Sequence, residues 1–122
     1  MPRVIHFEIP ADNPNRAVKF YSEIFNWKVE KWAGPVDYWL VTTGSEDVPG
    51  INGAIMKREN PQVTVTNTIE IPSIDDLLNN IVANGGQIIA PKMPVPGVGC
   101  AAYFADTEGN VFGLMQSDAS AH

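Results

Sequence analysis

An internal repeat constrains this chain more than any other feature. Phe7-Glu8-Ile9-Pro10 is matched, 62 positions later, by Ile69-Glu70-Ile71-Pro72. Each copy ends a strand-like run, Arg3 to Ile9 in the first and Thr64 to Ile71 in the second, enriched in residues that favour strands. Each is followed by a helix with its own start signal. Asn13 stands at an N-cap position with Pro14 at the first helical position, where a missing N–H costs nothing. Ala17, Phe20, Tyr21 and Ile24 then recur at helical spacing, with Val18 and Phe25 widening the stripe. In the second copy Ser73 is the cap and Asp76 can close a capping box. The stripe there is Ile74, Leu77, Leu78, Ile81 and Val82, and Gly85-Gly86 supplies the stop.

Three strand-like runs follow each helix: Trp27 to Trp32, Asp37 to Thr43 and Gly53 to Lys57, then Gln87 to Ala90, Cys100 to Ala105 and Val111 to Gln116. The chain therefore reads as two βαβββ modules, about residues 3–58 and 64–118, joined by a short linker containing Pro61. A repeat this short cannot cover its own sheet, so the modules are expected to share a core. At 122 residues and 44% apolar, the chain has material for one domain and not for two ordinary ones. Lys92 to Gly99, punctuated by proline and glycine, reads as a stiff loop over the rim of a cavity. It lacks the lysine and following helix of a phosphate loop.

The formal net charge is −6 and no basic run occurs, which argues against nucleic acid or an anionic membrane as partner. No apolar run approaches the roughly 18 residues of a membrane span, and Met1-Pro2-Arg3 leads directly into a strand rather than a signal peptide. The single Cys100 cannot form an internal disulfide, which fits a reducing cytoplasm. With no basic neighbour or nearby His to lower its pKa, it reads as a buried structural thiol.

Tyr103 to Gln116 reads as a β-hairpin: an apolar run enters the polar connection Asp106-Thr107-Glu108-Gly109-Asn110, and another leaves it. Gly109 supplies the positive φ, and Asp106 and Asn110 can hydrogen-bond the loop backbone. This hairpin resembles the C-terminal signature of the vicinal oxygen chelate superfamily, which includes glyoxalase I, bleomycin-resistance proteins and extradiol dioxygenases. Phe20-Tyr21-Ser22-Glu23-Ile24-Phe25-Asn26-Trp27, Gly34-Pro35-Val36-Asp37-Tyr38-Trp39 and Pro96-Gly97-Val98-Gly99 extend the resemblance to small single-domain proteins related to lactoylglutathione lyase, with Asn26 where glycine is usual. The resemblance implies an α+β fold in which two βαβββ modules form an incomplete eight-stranded barrel around a ligand cavity. It also implies an intimate homodimer.

Members of that superfamily usually carry metal ligands at four strand positions. His6 falls at the first, Ala54 and Gly113 stand where Glu is expected, and the fourth position is Thr68 or Thr66, depending on whether the Glu-Ile-Pro matches or the helices are aligned. One imidazole is too little for a catalytic metal, which usually has about three protein ligands. No metal and no other cofactor is expected.

If Ala54 and Gly113 face the cavity, strand alternation brings Met56 and Met115 with them, a thioether-lined floor suited to an apolar or aromatic ligand. Tyr38 or Trp39 lies on that face, and alternation does not say which; Tyr103 shares parity with Ala101 and Ala105. Such side chains also serve as ordinary core filling. On the first strand Phe7 and Ile9 are the helix-facing set, leaving His6 and Glu8 on the concave face. Glu8 and its repeat partner Glu70 are candidate general bases, and His6 is a candidate acid/base at neutral pH. The plainer alternative is solvated strand carboxylates and a structural imidazole. Two functions follow: a metal-independent lyase- or isomerase-type enzyme acting on a small organic substrate through Glu8, Glu70 or His6, or a non-catalytic dimer that sequesters a small molecule, as antibiotic-resistance relatives do.

Overall fold

Asn13 and Ser73 begin the two helices by the same device. The Asn13 side chain accepts a hydrogen bond from the Arg16 backbone N–H at 3.1 Å, and the Ser73 Oγ accepts one from Asp76 N–H at 3.4 Å. Gln116 adds a side-chain acceptor, 2.9 Å from the Ile74 N–H, so a second unpaired donor of that helix start is satisfied. The computed structural model describes residues 2–61 and 63–117. Among them the order is β1 (Arg3–Ala11), α1 (Pro14–Phe25), β2 (Lys28–Lys31), β3 (Tyr38–Thr42), β4 (Asn52–Lys57), β5 (Thr66–Glu70), α2 (Ile74–Ala83), β6 (Gln87–Val95), β7 (Gly99–Ala105) and β8 (Val111–Ser117). The βαβββ order thus occurs twice in an α+β fold with mixed strand pairing.

The chain divides into two compact units, one built on residues 5–66 and the other on the chain from residue 67 on together with the residues before Ile5. In the first, the strands lie in the order β2-β3-β4-β1, with β1 and β4 parallel and the remaining pairs antiparallel. Helix α1 covers one face, where Ile9, Ala11, Val41 and Ile55 form a buried core packed by Phe7, Ala17, Val18, Tyr21, Trp27 and Trp39. In the second, the order is β5-β8-β7-β6, with β5 and β8 parallel. Its core is Ile71, Ile74, Ala102 and Leu114, under Leu77, Leu78 and Ile81 of α2.

Three details differ from the sequence reading. The helix stripes are narrower: Phe20, Ile24 and Phe25 of α1 are more than half exposed, as is Val82 of α2, because each helix meets its sheet over a limited sector. The stretch read as a loop from Lys92 is largely strand, since β6 runs on to Val95. Its prolines are tolerated because β6 ends the strand order of its module and pairs on one side only, with register shifts on the way. The hairpin loop shrinks to Pro96-Gly97-Val98, with Gly97 at φ 76°.

The third difference concerns the repeat itself. Glu8 pairs with Ala54 and Pro10 with Met56 in the first unit; Thr68 pairs with Gly113 and Glu70 with Met115 in the second. The structural counterpart of Glu8 is therefore Thr68, that of His6 is Thr66, and Glu70 corresponds to Pro10. The two Glu-Ile-Pro segments are two residues out of structural register, because the pairing of the last strand sets the register and a short sequence match does not.

Asn26 follows α1 with φ 57° and ψ 30°, the left-handed conformation that ends many helices and that asparagine tolerates better than other non-glycine residues. Its place in a pattern that usually has glycine is thereby explained. Asn26→Val is expected to cost about 1–2 kcal/mol in urea unfolding, whereas Asn26→Gly should stay within about 0.5 kcal/mol of the parent. Equal losses in both would show that the left-handed backbone is not what the position selects.

The Asp106 connection is an ordered turn. The Asp106 carboxylate accepts from the Glu108 and Asn110 N–H groups at 2.8 and 2.9 Å and from the Asn110 side chain at 3.1 Å, while Gly109 takes φ 84°. The bonds from Asn110 hold the Asp106 carboxyl below the usual carboxylate range.

Candidate functional site

Strand register sorts the side chains of the first unit onto two faces. Ala54 is opposite Glu8 on one side and Leu40 on the other, and Met56 is opposite Tyr38. His6, Glu8, Tyr38, Leu40, Ala54 and Met56 therefore share the face away from α1. Trp39 belongs to the other face, in the core with Val41 and Ile55 and beneath the Lys31 ammonium. Of the two aromatic alternatives on β3, Tyr38 is the one on the site face.

On this face three residues are joined. The Tyr38 hydroxyl donates to Glu8 Oε2 at 2.7 Å, and His6 Nε2 lies 2.9 Å from the same hydroxyl oxygen. With the phenol proton committed to the carboxylate, the imidazole must donate, which fixes the Nε2–H tautomer. The chain runs in one direction, His6 to Tyr38 to Glu8, and ends on a charged acceptor, the strongest kind of neutral-donor hydrogen bond. Glu8 is 7% exposed. The imidazole and phenol rings are nearly parallel, 12° apart at 6.4 Å between centroids.

Burial lowers the His6 pKa below the ordinary imidazole value, and the Glu8 charge opposes that shift without cancelling it. His6 is therefore neutral at pH 7. The unfolded chain, with the higher pKa, binds the extra proton first, so this stability contribution is complete above about pH 6.5 and is lost as pH falls toward the folded value. Thermal unfolding followed from pH 7.5 to 5 should show a decline that His6→Gln makes shallower; identical slopes would remove His6 as its source.

In the second unit Thr68, Glu70, Tyr103, Gly113 and Met115 likewise share the face away from α2. Thr68 is buried, whereas Glu70 is exposed and accepts a 3.1 Å bond from the Ser117 hydroxyl. The two repeat carboxylates thus have unlike surroundings, and only Glu8 has those of a candidate base.

The metal implied by the family resemblance finds no matching donor set. His6 Nε2 already donates to Tyr38, Ala54 is fully buried, and Thr66 turns its hydroxyl to the Thr64 carbonyl at 2.8 Å. A Cβ added at Gly113 would come within 3.2 Å of both Thr68 Oγ1 and Tyr103 Cε1, so the place of a ligand side chain is taken by its neighbours. Among the described residues, no group of three His, Cys, Asp or Glu side chains is placed to hold a metal ion.

A hollow of about 370 Å³ opens at the start of α1, lined by Ile9, Ala17, Phe20, Tyr21 and Arg58 among others. It does not include the His6–Tyr38–Glu8 chain. Its guanidinium is committed to structure: Arg58 bonds Asp12 Oδ1 at 3.1 Å and the Val63 and Pro10 carbonyls at 3.1 and 3.4 Å.

The sequence located His6 and Glu8 but not the hydroxyl that joins them. Both parities of Tyr38 to Thr42 offer an aromatic and an aliphatic residue, so the pattern alone gives no direction. The usable signal lies one strand earlier, since Val29 pairs with Val41 on the core face and Tyr38 stands on the opposite one.

Comparison with known proteins bears on the family and the fold. The profile of the Glyoxalase/Bleomycin resistance protein/Dioxygenase superfamily matches residues 3–114. A glyoxylase-like domain-containing protein of Didymella fabae is 30% identical over 112 residues, 88% of each chain. Among solved structures, the Bacillus halodurans C-125 protein BH1468 superposes with a TM-score of 0.70 at 14% identity, covering 99% of this chain and 98% of the other. Methylmalonyl-CoA epimerase of Mycobacterium tuberculosis gives 0.67 at 8% identity, covering 94% and 87%. At those identities the structural matches establish the fold.

Proposed function

Starting from the fact that this chain belongs to the Glyoxalase/Bleomycin resistance protein/Dioxygenase superfamily, we propose that it is a metal-independent enzyme of the lyase or isomerase type, moving a proton on a small carbonyl compound with Glu8 as general base. The observation that carries this reading is the directed chain from neutral His6 through the Tyr38 hydroxyl to a 7%-exposed Glu8 carboxylate. A base held in one orientation by a neighbouring donor is placed to take a proton from a carbon next to a carbonyl. The phenol, fed by the His6 N–H, gives its one proton to Glu8 Oε2 and so holds the carboxylate in that orientation. The fold neighbours named as methylmalonyl-CoA epimerase support the reaction type, since epimerisation proceeds by proton movement. Transfer of their substrate is a separate step that fold likeness does not supply.

The test is incorporation of solvent deuterium into candidate substrates, followed by NMR: α-hydroxyketones, hemithioacetals and short acyl thioesters. Enzyme-dependent exchange at one carbon supports the reading, and its absence across compounds that bind opposes it.

A second reading, ligand sequestration, is favoured by the apolar flank of the same face, where Leu40 is 39% exposed and Met56 half-buried beside Tyr38. It predicts quenching of Trp fluorescence by an aromatic ligand with neither exchange nor product. The expected setting for either function is a cytoplasmic homodimer. The single cysteine supports the compartment, and the exposed Phe20, Ile24 and Phe25 support self-association.

A further inference from the structure

The segment between β2 and β3 contains an arrangement that the proton-transfer reading does not use. Trp32 follows β2, and its backbone N–H donates to the Tyr38 carbonyl at 2.8 Å, closing the hairpin immediately beside the site tyrosine. The indole then folds back over Gly34: a Cβ built there would overlap three carbons of the Trp32 six-membered ring. From that seat the indole meets the Tyr38 ring edge-on, 70° between planes and 6.0 Å between centroids. Tyr38 is thus bounded by the Trp32 indole and by the nearly parallel His6 imidazole.

The ion pair at the end of this hairpin is weak. Lys31 and Asp37 pair at 3.1 Å, but their side chains are 58% and 71% exposed, and exposed ion pairs are worth about 0–1 kcal/mol. The Trp32 indole, admitted by the bare backbone of Gly34, is the side chain of this connecting segment that meets the Tyr38 ring directly.

We propose that Trp32 and Gly34 are positioning residues for the site: the indole, seated on Gly34, sets the Tyr38 ring so that one hydroxyl reaches His6 and Glu8 together. The effect on turnover rests on the proton-transfer reading, whereas the effect on the hydrogen-bond chain does not. A phenol free to swing about its Cα–Cβ bond carries its hydroxyl away from the point from which it reaches both partners. Hydrogen bonds weaken steeply with misalignment, and displacements of about 1 Å in a catalytic constellation cost on the order of 10²-fold in rate.

The test uses the 122-residue chain with ¹⁵N-labelled histidine, the His6 signals being assigned by comparison with His6→Gln. In the wild type the Nε2–H correlation is expected to be visible and protected from solvent. Trp32→Ala, which removes the indole without touching Gly34, and Gly34→Ala, which unseats it, should both shift or broaden that correlation. The double variant should show no more change than Trp32→Ala alone. Where wild-type isotope exchange is present, kcat should fall about tenfold or more with KM nearly unchanged. An unaltered His6 Nε2–H correlation in Trp32→Ala would overturn the proposal, and it decides the matter even if Gly34→Ala fails to fold. Absence of isotope exchange in the wild type would instead count against the proton-transfer reading and leave the NMR result standing.

Discussion

Glu8→Gln is expected to reduce solvent-proton exchange into substrate by about 10²–10⁴-fold, the range associated with loss of a positioned general base. The substitution is nearly isosteric, and the amide oxygen can still accept the Tyr38 hydroxyl that now lies 2.7 Å from Oε2. What disappears is the charge that accepts a proton. Because Glu8 is 7% exposed, the replacement also removes the need to hold an ionised group away from water, so the fold should be nearly as stable as before. The informative result is therefore a pair: activity lost and melting temperature retained. Loss of both would identify Glu8 as a structural acceptor for Tyr38, and an unchanged rate would remove it from the mechanism.

The second large effect is expected at Gly113. Gly113→Glu restores the side chain that family members usually carry on the last strand, yet it should destabilise the protein by about 3 kcal/mol or more, the scale of an uncompensated buried charge. Gly113 is buried, and its Cβ direction is occupied by the Thr68 hydroxyl and the Tyr103 ring, each 3.2 Å away. A carboxylate there would have to displace the Thr68 hydroxyl and the Tyr103 ring. Gly113→Ala separates the two terms, since it asks only for a shift of a few tenths of an ångström and should cost much less. Urea titration of the three proteins, with and without added Ni, Zn or Mn, measures both terms. A Gly113→Glu protein that binds a metal ion tightly and is as stable as the parent would show that the site retains more of its family chemistry than its neighbours suggest.

The fold was legible because its determinants are local. Asn13 with Pro14, Ser73, Gly109 and the doubled βαβββ order are signals that act over a few residues, and the chain uses them as the sequence reading expects. The site was legible in part. Alternation on β1 separates His6 and Glu8 from Phe7 and Ile9, which is a period-two argument of the strongest kind. It gives no information about which side chain of a strand two positions away in the sheet reaches across, and so the Tyr38 bridge was not foreseen. The sequence match of Glu8 with Glu70 departs from the structural register for a related reason. Four matched letters favoured one alignment, while the pairing of Thr68 with Gly113 and of Glu8 with Ala54 fixes another, and register in a sheet is set by partners distant in sequence. Helix stripes were overestimated where apolar residues such as Phe20 and Ile24 lie on the surface of the unit.

The central claim is that Glu8 moves a proton without a metal. It is tested most directly by measuring deuterium incorporation into a responsive substrate before and after exhaustive EDTA treatment, with the metal content of each sample determined and Ni, Zn, Mn and Fe added back singly. The expected result is exchange at an undiminished rate in metal-free protein, indifference to every added ion, and loss of exchange in Glu8→Gln. Exchange that vanishes with EDTA and returns with one ion at stoichiometric content would contradict the claim. It would show that His6 leaves Tyr38 to ligate a metal with partners beyond those assembled on its own face of the sheet.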